Sequence, residues 1–391
     1  MISIFQRLTK IFTGKKLPHI QDHSDLSGHY VLIRADFNVP MQGDASITPD
    51  DAWRIEAICE TITYVRDQGA KIILISHAGN ADQSLRPVAQ YLQEYLDTPI
   101  GFVPEVTGTL VEETLDRMGN GHIILLENLR SDVREKNNHE GFAELLSTYA
   151  DIYVNEAFSA SHREHASIVG VPQLLPTYFG FQFHREYEAL SKAHHPKQPL
   201  LLMVGGAKFD TKLPLIEKML PTAEHVFIGG ALAHTFFKYQ GIEIGNSLVE
   251  EYPAVQSLID HSKISLPFDV IVQGMNGTRT IPHNEITSDD RIVDLGPLTL
   301  SELRPHIQNA GTIIWNGPVG WYEGGFDEGT QGLLQELSSS NAFSIIGGGD
   351  TVAVIRAHDM ADQFGFVSTA GGAMLDFLSQ GSLPGIDVVV G

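Results

Sequence analysis

Short apolar runs rich in β-branched residues recur along this chain and alternate with longer stretches whose apolar positions fall on one side of a helix. That alternation restricts the fold to the α/β class, with parallel sheets covered by helices on both faces. In the first half, Tyr30 to Ile33, Lys71 to Ser76, His122 to Leu126 and Ile152 to Val154 are expected to be strands. Between the first two, Asp50 and Asp51 precede Trp53, Ile55, Ile58, Ile62 and Val65, the acidic start and one-sided stripe of a single crossover helix. The second half repeats the pattern at Leu200 to Val204, His225 to Ile228, Asp269 to Val272, Thr312 to Trp315 and Ser344 to Ile346. A helix from Phe181 to His194, followed by Pro196 and Pro199, is expected to connect the halves.

With 391 residues the chain is long enough for two or three domains. Its formal charge of -22 argues against nonspecific binding to nucleic acid or to an anionic membrane. Cys59 is the one cysteine, which excludes an intramolecular disulfide and a cysteine-cluster metal site and fits a reducing compartment, so the cytoplasm is the expected location. The 17 histidines form no HExxH, and neither a GxSxG elbow nor a GxGxxG fingerprint is present, which weakens the zinc-enzyme, serine-hydrolase and dehydrogenase readings. Residues 1 to 20 carry Arg7, Lys10, Lys15 and Lys16 beside apolar residues and no acid. They read as a helical extension packed on the body, or alternatively as a targeting or membrane-surface helix. Stable membrane association is not expected.

The chemistry should lie where strands end. Arg34, Asp36 and Asn38 alternate, so an extended backbone would direct all three to one side as a cup for a ligand. Arg54, His77, Arg130 and Arg163 fall at or beyond strand ends or helix starts, as donors for an anionic substrate would; taken singly, each also reads as a surface ion pair. At Gly205-Gly206-Ala207-Lys208 a tight turn feeds a helix and should leave backbone N–H groups free for an anion. Lys208 and Lys212, four apart, would share a face of that helix and meet one polyphosphate, or else face solvent. The spacing is not that of a Walker motif. Gly347-Gly348-Gly349-Asp350-Thr351 places an acid and a hydroxyl after a strand, and Asp350 is the candidate for magnesium, which needs few protein carboxylates beside substrate phosphates. A further small-residue turn, Ser368 to Ala373, could bring amides to developing charge or serve only close packing.

In order along the chain, RADFNVP at 34 to 40, LLENLR at 125 to 130, AFSASHREHAS at 157 to 167, GGAK at 205 to 208, WNGPVG at 315 to 320, GGGDT at 347 to 351 and STAGGA at 368 to 373 resemble the motifs of the phosphoglycerate kinase family. The resemblance extends from Arg34 nearly to the C-terminus. It implies two similar-sized Rossmann-like domains with parallel sheets flanked by helices, facing a cleft and joined by a helical hinge. Residues 1 to 185, with about 375 to 391 returning, would bind 3-phosphoglycerate or 1,3-bisphosphoglycerate, and residues 186 to 374 would bind Mg2+ with ATP or ADP. The implied activity is the reversible phosphoryl transfer of glycolysis and gluconeogenesis, in a monomer. By resemblance, Asp36, Asn38, His77, Arg130 and Arg163 take the acid substrate, while Arg54 and Lys208 flank the transferred group. Lys212, Asn316, Gly349 and Thr351 serve the nucleotide phosphates or its site, Glu323 the ribose, Asp350 the magnesium, and Gly371 and Gly372 the transition state.

Three positions depart from the family pattern. Asn80 stands where an arginine helps to bind the acid, Glu156 replaces an aspartate, and Ala370 replaces a glycine of the last turn. Loss of one charge-assisted hydrogen bond, worth about 1.5 to 3 kcal/mol, would raise the substrate requirement about tenfold or more unless a cation such as Arg86 compensates.

Overall fold

The computed structural model describes residues 16–40 and 47–391. The chain divides into two compact units, Met1–Glu188 with Gln380–Gly391, and Ala189–Ser379.

In the first unit, strands β1 (Tyr30–Arg34), β2 (Lys71–Ile75), β3 (Ile100–Val103), β4 (Ile123–Leu126), β5 (Ile152–Asn155) and β6 (Thr177–Phe179) form one parallel sheet in the order β3-β4-β2-β1-β5-β6. Successive residues enter opposite cores. Val31, Ile33, Ile72, Leu74, Ile123 and Leu125 pack on one face, whereas Leu32, Ile73, Ile75, Ile124 and Leu126 pack on the other. A strand buried on both faces needs an apolar side chain at every position, which is why these segments read as unbroken runs. The edge strands β3 and β6 are only partly buried and lack such runs, so the sequence pattern did not expose them.

The second unit contains β7 (Leu200–Val204), β8 (His225–Ile228), β9 (Ile264–Ser265), β10 (Asp269–Gly274), β11 (Gly277–Pro282), β12 (Arg291–Leu295), β13 (Thr312–Asn316), β14 (Phe343–Gly347) and β15 (Phe366–Val367). Six of them form a parallel sheet in the order β15-β14-β13-β7-β8-β9. One expectation is corrected here: Asp269 to Val272 does not join that sheet. It belongs to β10, which pairs antiparallel with β11 and β12. The physical reason is the Met275-Asn276 turn, closed by Gly277 at φ 98°, which folds the chain straight back and so forces an antiparallel partner.

The expected single crossover helix is likewise two helices, Pro49–Glu56 and Cys59–Asp67. At the break the Ala57 carbonyl accepts from Arg185 Nη2 at 3.1 Å, a partner far away in sequence that helical periodicity cannot reveal. Of the expected N-terminal helix, residues 1–15 lie outside the described residues. From Leu17 to His19 the chain is extended, the Phe179 N–H of β6 donating to the Pro18 carbonyl at 2.8 Å and His19 bridging to Phe179, and a short 3-10 turn follows at Ile20–Asp22. Among the described residues no helix is long and apolar enough to cross a membrane.

Two switch points follow from the strand orders. β1 is flanked by β2 and β5, and β7 by β8 and β13, so connections leave these central strands toward opposite sides and open a crevice at their carboxyl ends. Arg34 and Asn155 end one such pair; Val204 and Asn316 end the other.

Glu156, one of the three departures, follows β5 and is buried. Its carboxylate accepts from the Gln182 N–H at 3.1 Å, the Phe183 N–H at 2.8 Å and the Thr61 hydroxyl, while Thr61 Oγ1 accepts the Phe181 N–H at 3.0 Å. Together they satisfy the free amides at the start of the helix Phe181–Lys192. Burial pushes the Glu156 carboxyl up to about 7 from its ordinary 4.5, against those hydrogen bonds. The folded protein therefore holds this proton more tightly than the unfolded chain. The resulting stability is present below pH about 4.5 and is lost as pH rises through about 7. Thermal melts of wild type and Glu156→Gln across pH 4 to 8 should show this slope in the wild type and a flatter one in the variant. Equal slopes would remove Glu156 from the account.

Candidate active site

At the β1/β5 switch point the first unit gathers Arg34, Arg54, His77, Arg130 and Arg163 near the Asp36 carboxylate. Arg34 is fully buried; its Nη2 donates to His77 Nδ1 at 3.1 Å, and its Nε donates to Ser167 Oγ at 2.9 Å. A guanidinium can only donate, so His77 Nδ1 accepts and the proton sits on Nε2. Burial, then Arg34, Arg130 and Arg163, hold the His77 imidazole well below its usual range, so it serves as a neutral donor. Asp36 accepts from Ser159 Oγ at 2.6 Å and from the Asn38 N–H at 3.3 Å, and it lies 3.8 Å from Arg54 Nη1. Asn38 Oδ1 accepts the Gly79 N–H at 2.9 Å, while Arg130 Nη1 donates to the Gly79 carbonyl at 2.5 Å. Burial and the positive charges of Arg163 and Arg34 pull Arg130 below the usual guanidinium range. Its Nε is buried and has no hydrogen-bond partner among the described residues.

The cup expected from Arg34, Asp36 and Asn38 is thus modified. Asp36 and Asn38 adjoin each other, but Arg34 turns into the interior and braces His77. Behind it, Glu135 accepts from the Ser167 N–H at 2.9 Å and from Ser167 Oγ at 2.6 Å, giving the buried cations a counter-charge. Ser159, Ser167 and Glu135 were not singled out from the sequence. The two serines lie within the AFSASHREHAS segment, which was the available signal; Glu135 had none.

In the second unit, the loops after β7 and β13 touch. The Gly205 N–H donates to the Asn316 carbonyl at 2.9 Å and the Gly206 N–H to the Pro318 carbonyl at 2.8 Å. The Phe209 N–H, which opens the helix Phe209–Met219, donates to Glu250 at 2.7 Å. This narrows the expectation of free amides at that turn: Gly205 and Gly206 are occupied by partners remote in sequence, as is Phe209 after them, whereas among the described residues no hydrogen bond engages the Ala207 or Lys208 amide. The shared helix face of Lys208 and Lys212 is also corrected. Lys208 caps the helix from an extended conformation and is exposed, whereas Lys212 is buried with its ammonium on Asn316 Oδ1.

Beside these loops lies a cavity of about 410 Å³, lined among others by Gly206, Gly230, Val319, Trp321, Glu323 and Asp350. Desolvation, then the Glu323 carboxylate, raise the Asp350 carboxyl above its ordinary range, with Lys212 opposing. Thr351 is fully buried and its hydroxyl has no partner among the described residues. Gly349, Gly371 and Gly372 have no heavy atom within 4 Å of where a Cβ would stand, so open space faces each. Among the described residues no three His, Cys, Asp or Glu side chains could hold a metal by themselves.

The phosphoglycerate kinase family model matches residues 20–381. A phosphoglycerate kinase of Syntrophobacter fumaroxidans is 37% identical over 93% of this chain and 96% of its own length, and that of Herpetosiphon aurantiacus is 39% identical over 92% and 96%. The chain belongs to the phosphoglycerate kinase family. Solved phosphoglycerate kinases have the same fold: that of Coxiella burnetii covers 96% of this chain and 99% of its own at 34% identity and a TM-score of 0.82. The one from Pyrococcus horikoshii covers 96% and 98% at 27% identity and 0.85. The chain's activity is the family's, an ATP-dependent kinase reaction that passes a phosphoryl group between 1,3-bisphosphoglycerate and ADP, giving 3-phosphoglycerate and ATP.

Against the phosphoglycerate kinase pattern, the departures have local consequences. Ala370 is absent from the residues with positive φ, where Gly371 stands at 56°, so the methyl group imposes no backbone strain. Asn80 is exposed, and its carbonyl accepts from Asn128 Nδ2 at 2.9 Å. Arg86 places its guanidinium 4.6 Å from the centre of the Phe102 ring, a stacking partner that competes with any service to the acid substrate.

Proposed function

We propose that the first unit binds the phosphoglycerate and the second the nucleotide, and that the phosphoryl group passes directly between them. The observation that carries the reading is Arg130: a buried guanidinium N–H without an acceptor, whose proton affinity the neighbouring positive charges already lower, is relieved by an incoming anion. Asp36, Asn38, His77, Arg130 and Arg163 then hold the acid, with His77 Nε2–H as a neutral donor. Lys212, Asn316, Gly349 and Thr351 serve the nucleotide phosphates and Glu323 the ribose, while Asp350 would hold Mg2+. The donor set fits that ion, since Asp350 lies in the field of a second carboxylate and the substrate's own oxygens would supply the remaining ligands. When bound, Mg2+ supplies neutralisation of the nucleotide oxygens.

In the ATP-forming direction a β-phosphate oxygen of ADP attacks the acyl phosphorus in line. One P–O bond forms as the bond to the carboxyl oxygen breaks, and 3-phosphoglycerate leaves as a carboxylate with no proton to be moved. Arg54 and Lys208 offset charge on the transferred oxygens, and the amides at Gly371 and Gly372 approach it; no protein nucleophile is required. A monomeric, cytoplasmic enzyme fits the acidic composition and the free, buried Cys59. A coupled assay with 3-phosphoglycerate and Mg2+-ATP should give robust turnover. A labelled phosphoenzyme formed and consumed at the turnover rate would refute direct transfer.

Lys212 gives this reading a pH signature. Its burial pulls the ammonium down to about 8, with Lys208 adding to the fall and Asp350 resisting it. The charge that meets phosphate is therefore present below pH about 8 and lost above it. We expect kcat/KM for nucleotide to decline through that pH, and Lys212→Met to lower the value and abolish the decline. A wild-type profile flat to pH 9.5 would contradict this role.

A further inference from the structure

The second unit's cavity is polar at Glu323 and Asp350 and apolar where Leu248, Ile292 and Val319 form its wall. His234, on the helix Gly230–Tyr239, is a polar ring on that wall and is 6% exposed. Its Nδ1 lies 2.7 Å from the Leu248 carbonyl oxygen. A carbonyl can only accept, so Nδ1 carries the proton and Nε2 presents a lone pair. Among the described residues no side chain or amide hydrogen-bonds to Nε2. Burial pushes the imidazole down to about 4 despite the bond to Leu248, and Arg291, whose guanidinium stacks 3.8 Å above the Trp321 ring, adds to that effect. At neutral pH the wall therefore holds a fixed acceptor and no donor at this point.

We propose that His234 selects the nucleotide base, its Nε2 accepting a hydrogen bond from an exocyclic amino group, so that a 6-aminopurine is preferred over a 6-oxopurine. The inference rests on the reading of this cavity as the nucleotide site. A 6-oxo base would bring an oxygen lone pair against the Nε2 lone pair. To avoid that, the ring would have to move its proton to Nε2 and abandon the Leu248 carbonyl, or the base would have to shift in the cavity to offer its N1–H. The first leaves a buried polar group without its partner and the second gives up the pose of the 6-aminopurine, the way a hydrogen-bonding pocket rejects a near-isostere.

The test uses the full chain and two nucleotides that differ at this position, ADP and IDP, titrated calorimetrically against wild type, His234→Phe and His234→Leu. Wild type should bind ADP about tenfold or more tightly than IDP. In the variants the ratio should collapse toward one through weaker ADP binding, while IDP binding is unchanged or improved. A role confined to holding Leu248 in place would weaken both nucleotides equally and leave the ratio intact. Two variants of different shape guard against failure of one to fold, and the wild-type ratio needs no variant. ADP and IDP binding to wild type within about twofold of each other overturns this inference alone, as does a retained ratio in a folded variant. If neither nucleotide binds, or binding is indifferent to Lys212→Ala, the nucleotide reading falls and this inference falls with it.

Discussion

Replacing Arg54 with alanine is expected to lower kcat by about two to three orders of magnitude and to leave the fold nearly untouched. The guanidinium lies 3.8 Å from Asp36 and 5.1 Å from the centre of the Trp53 ring, and its side chain is 23% exposed. An ion pair of that length and exposure contributes at most about 1 kcal/mol to stability. The same charge placed against the oxygens of a transferring phosphoryl group is worth about 3 to 4 kcal/mol, because it is already oriented when the charge develops. Steady-state kinetics should therefore show a collapse in kcat with KM for 3-phosphoglycerate changed less than about tenfold, and the melting temperature should move by only about 2 °C. An Arg54→Ala enzyme retaining kcat within tenfold of wild type would exclude Arg54 from the reacting centre.

Gly230→Ala should produce the second large effect, on the other substrate. Gly230 has φ 58°, and a Cβ built there would stand 2.7 Å from the Gly206 nitrogen and 2.8 Å from the Pro318 oxygen, both backbone atoms. A methyl group would thus impose a left-handed conformation on a residue that avoids it and also force apart the loops after β7 and β13. The combined destabilisation is about 2 to 5 kcal/mol. Gly206, Gly230 and Pro318 all line the cavity, so KM for ADP should rise more than tenfold while KM for 3-phosphoglycerate stays near its wild-type value. A variant with unchanged ADP kinetics would show that the loops tolerate separation and that this wall does not touch nucleotide.

The two effects bear on whether the departures at Asn80 and Ala370 leave a working kinase. Ala370 has no strained backbone to penalise. Asn80 carries no charge where the family pattern has an arginine, and the Arg86 guanidinium stacks on Phe102. Arg34, Arg130 and Arg163 remain close enough to His77 to depress its proton affinity together, so three positive charges remain there. The expected consequence of Asn80 is a weaker hold on the acid, separate from the effect predicted for Arg54→Ala.

By itself the sequence determined the local and the repetitive. Strands buried on both faces announce themselves as unbroken apolar runs, so β1, β2, β4, β5, β7, β8, β13 and β14 could be placed to within a residue or two. The glycine turns at their ends could be located too, because a tight strand-to-helix turn restricts residue type. The motif order also carried the family, and with it the residues expected at each half-site. Tertiary structure alone decided which groups meet. Arg34 reaches Ser167 across 133 residues, Lys212 reaches Asn316 across 104, and Glu156 is tied to Thr61 across 95. None of these contacts has a period or a spacing. They exist because β1 is registered beside β5, and β7 beside β13, bringing carboxyl ends together that the chain order keeps far apart. The same registry committed the amides at Gly205 and Gly206 and joined those loops through hydrogen bonds. An unpaired buried amide costs too much for such turns to remain open, so pairing across the sheet, rather than residue type, determined which donors were left to hold a ligand.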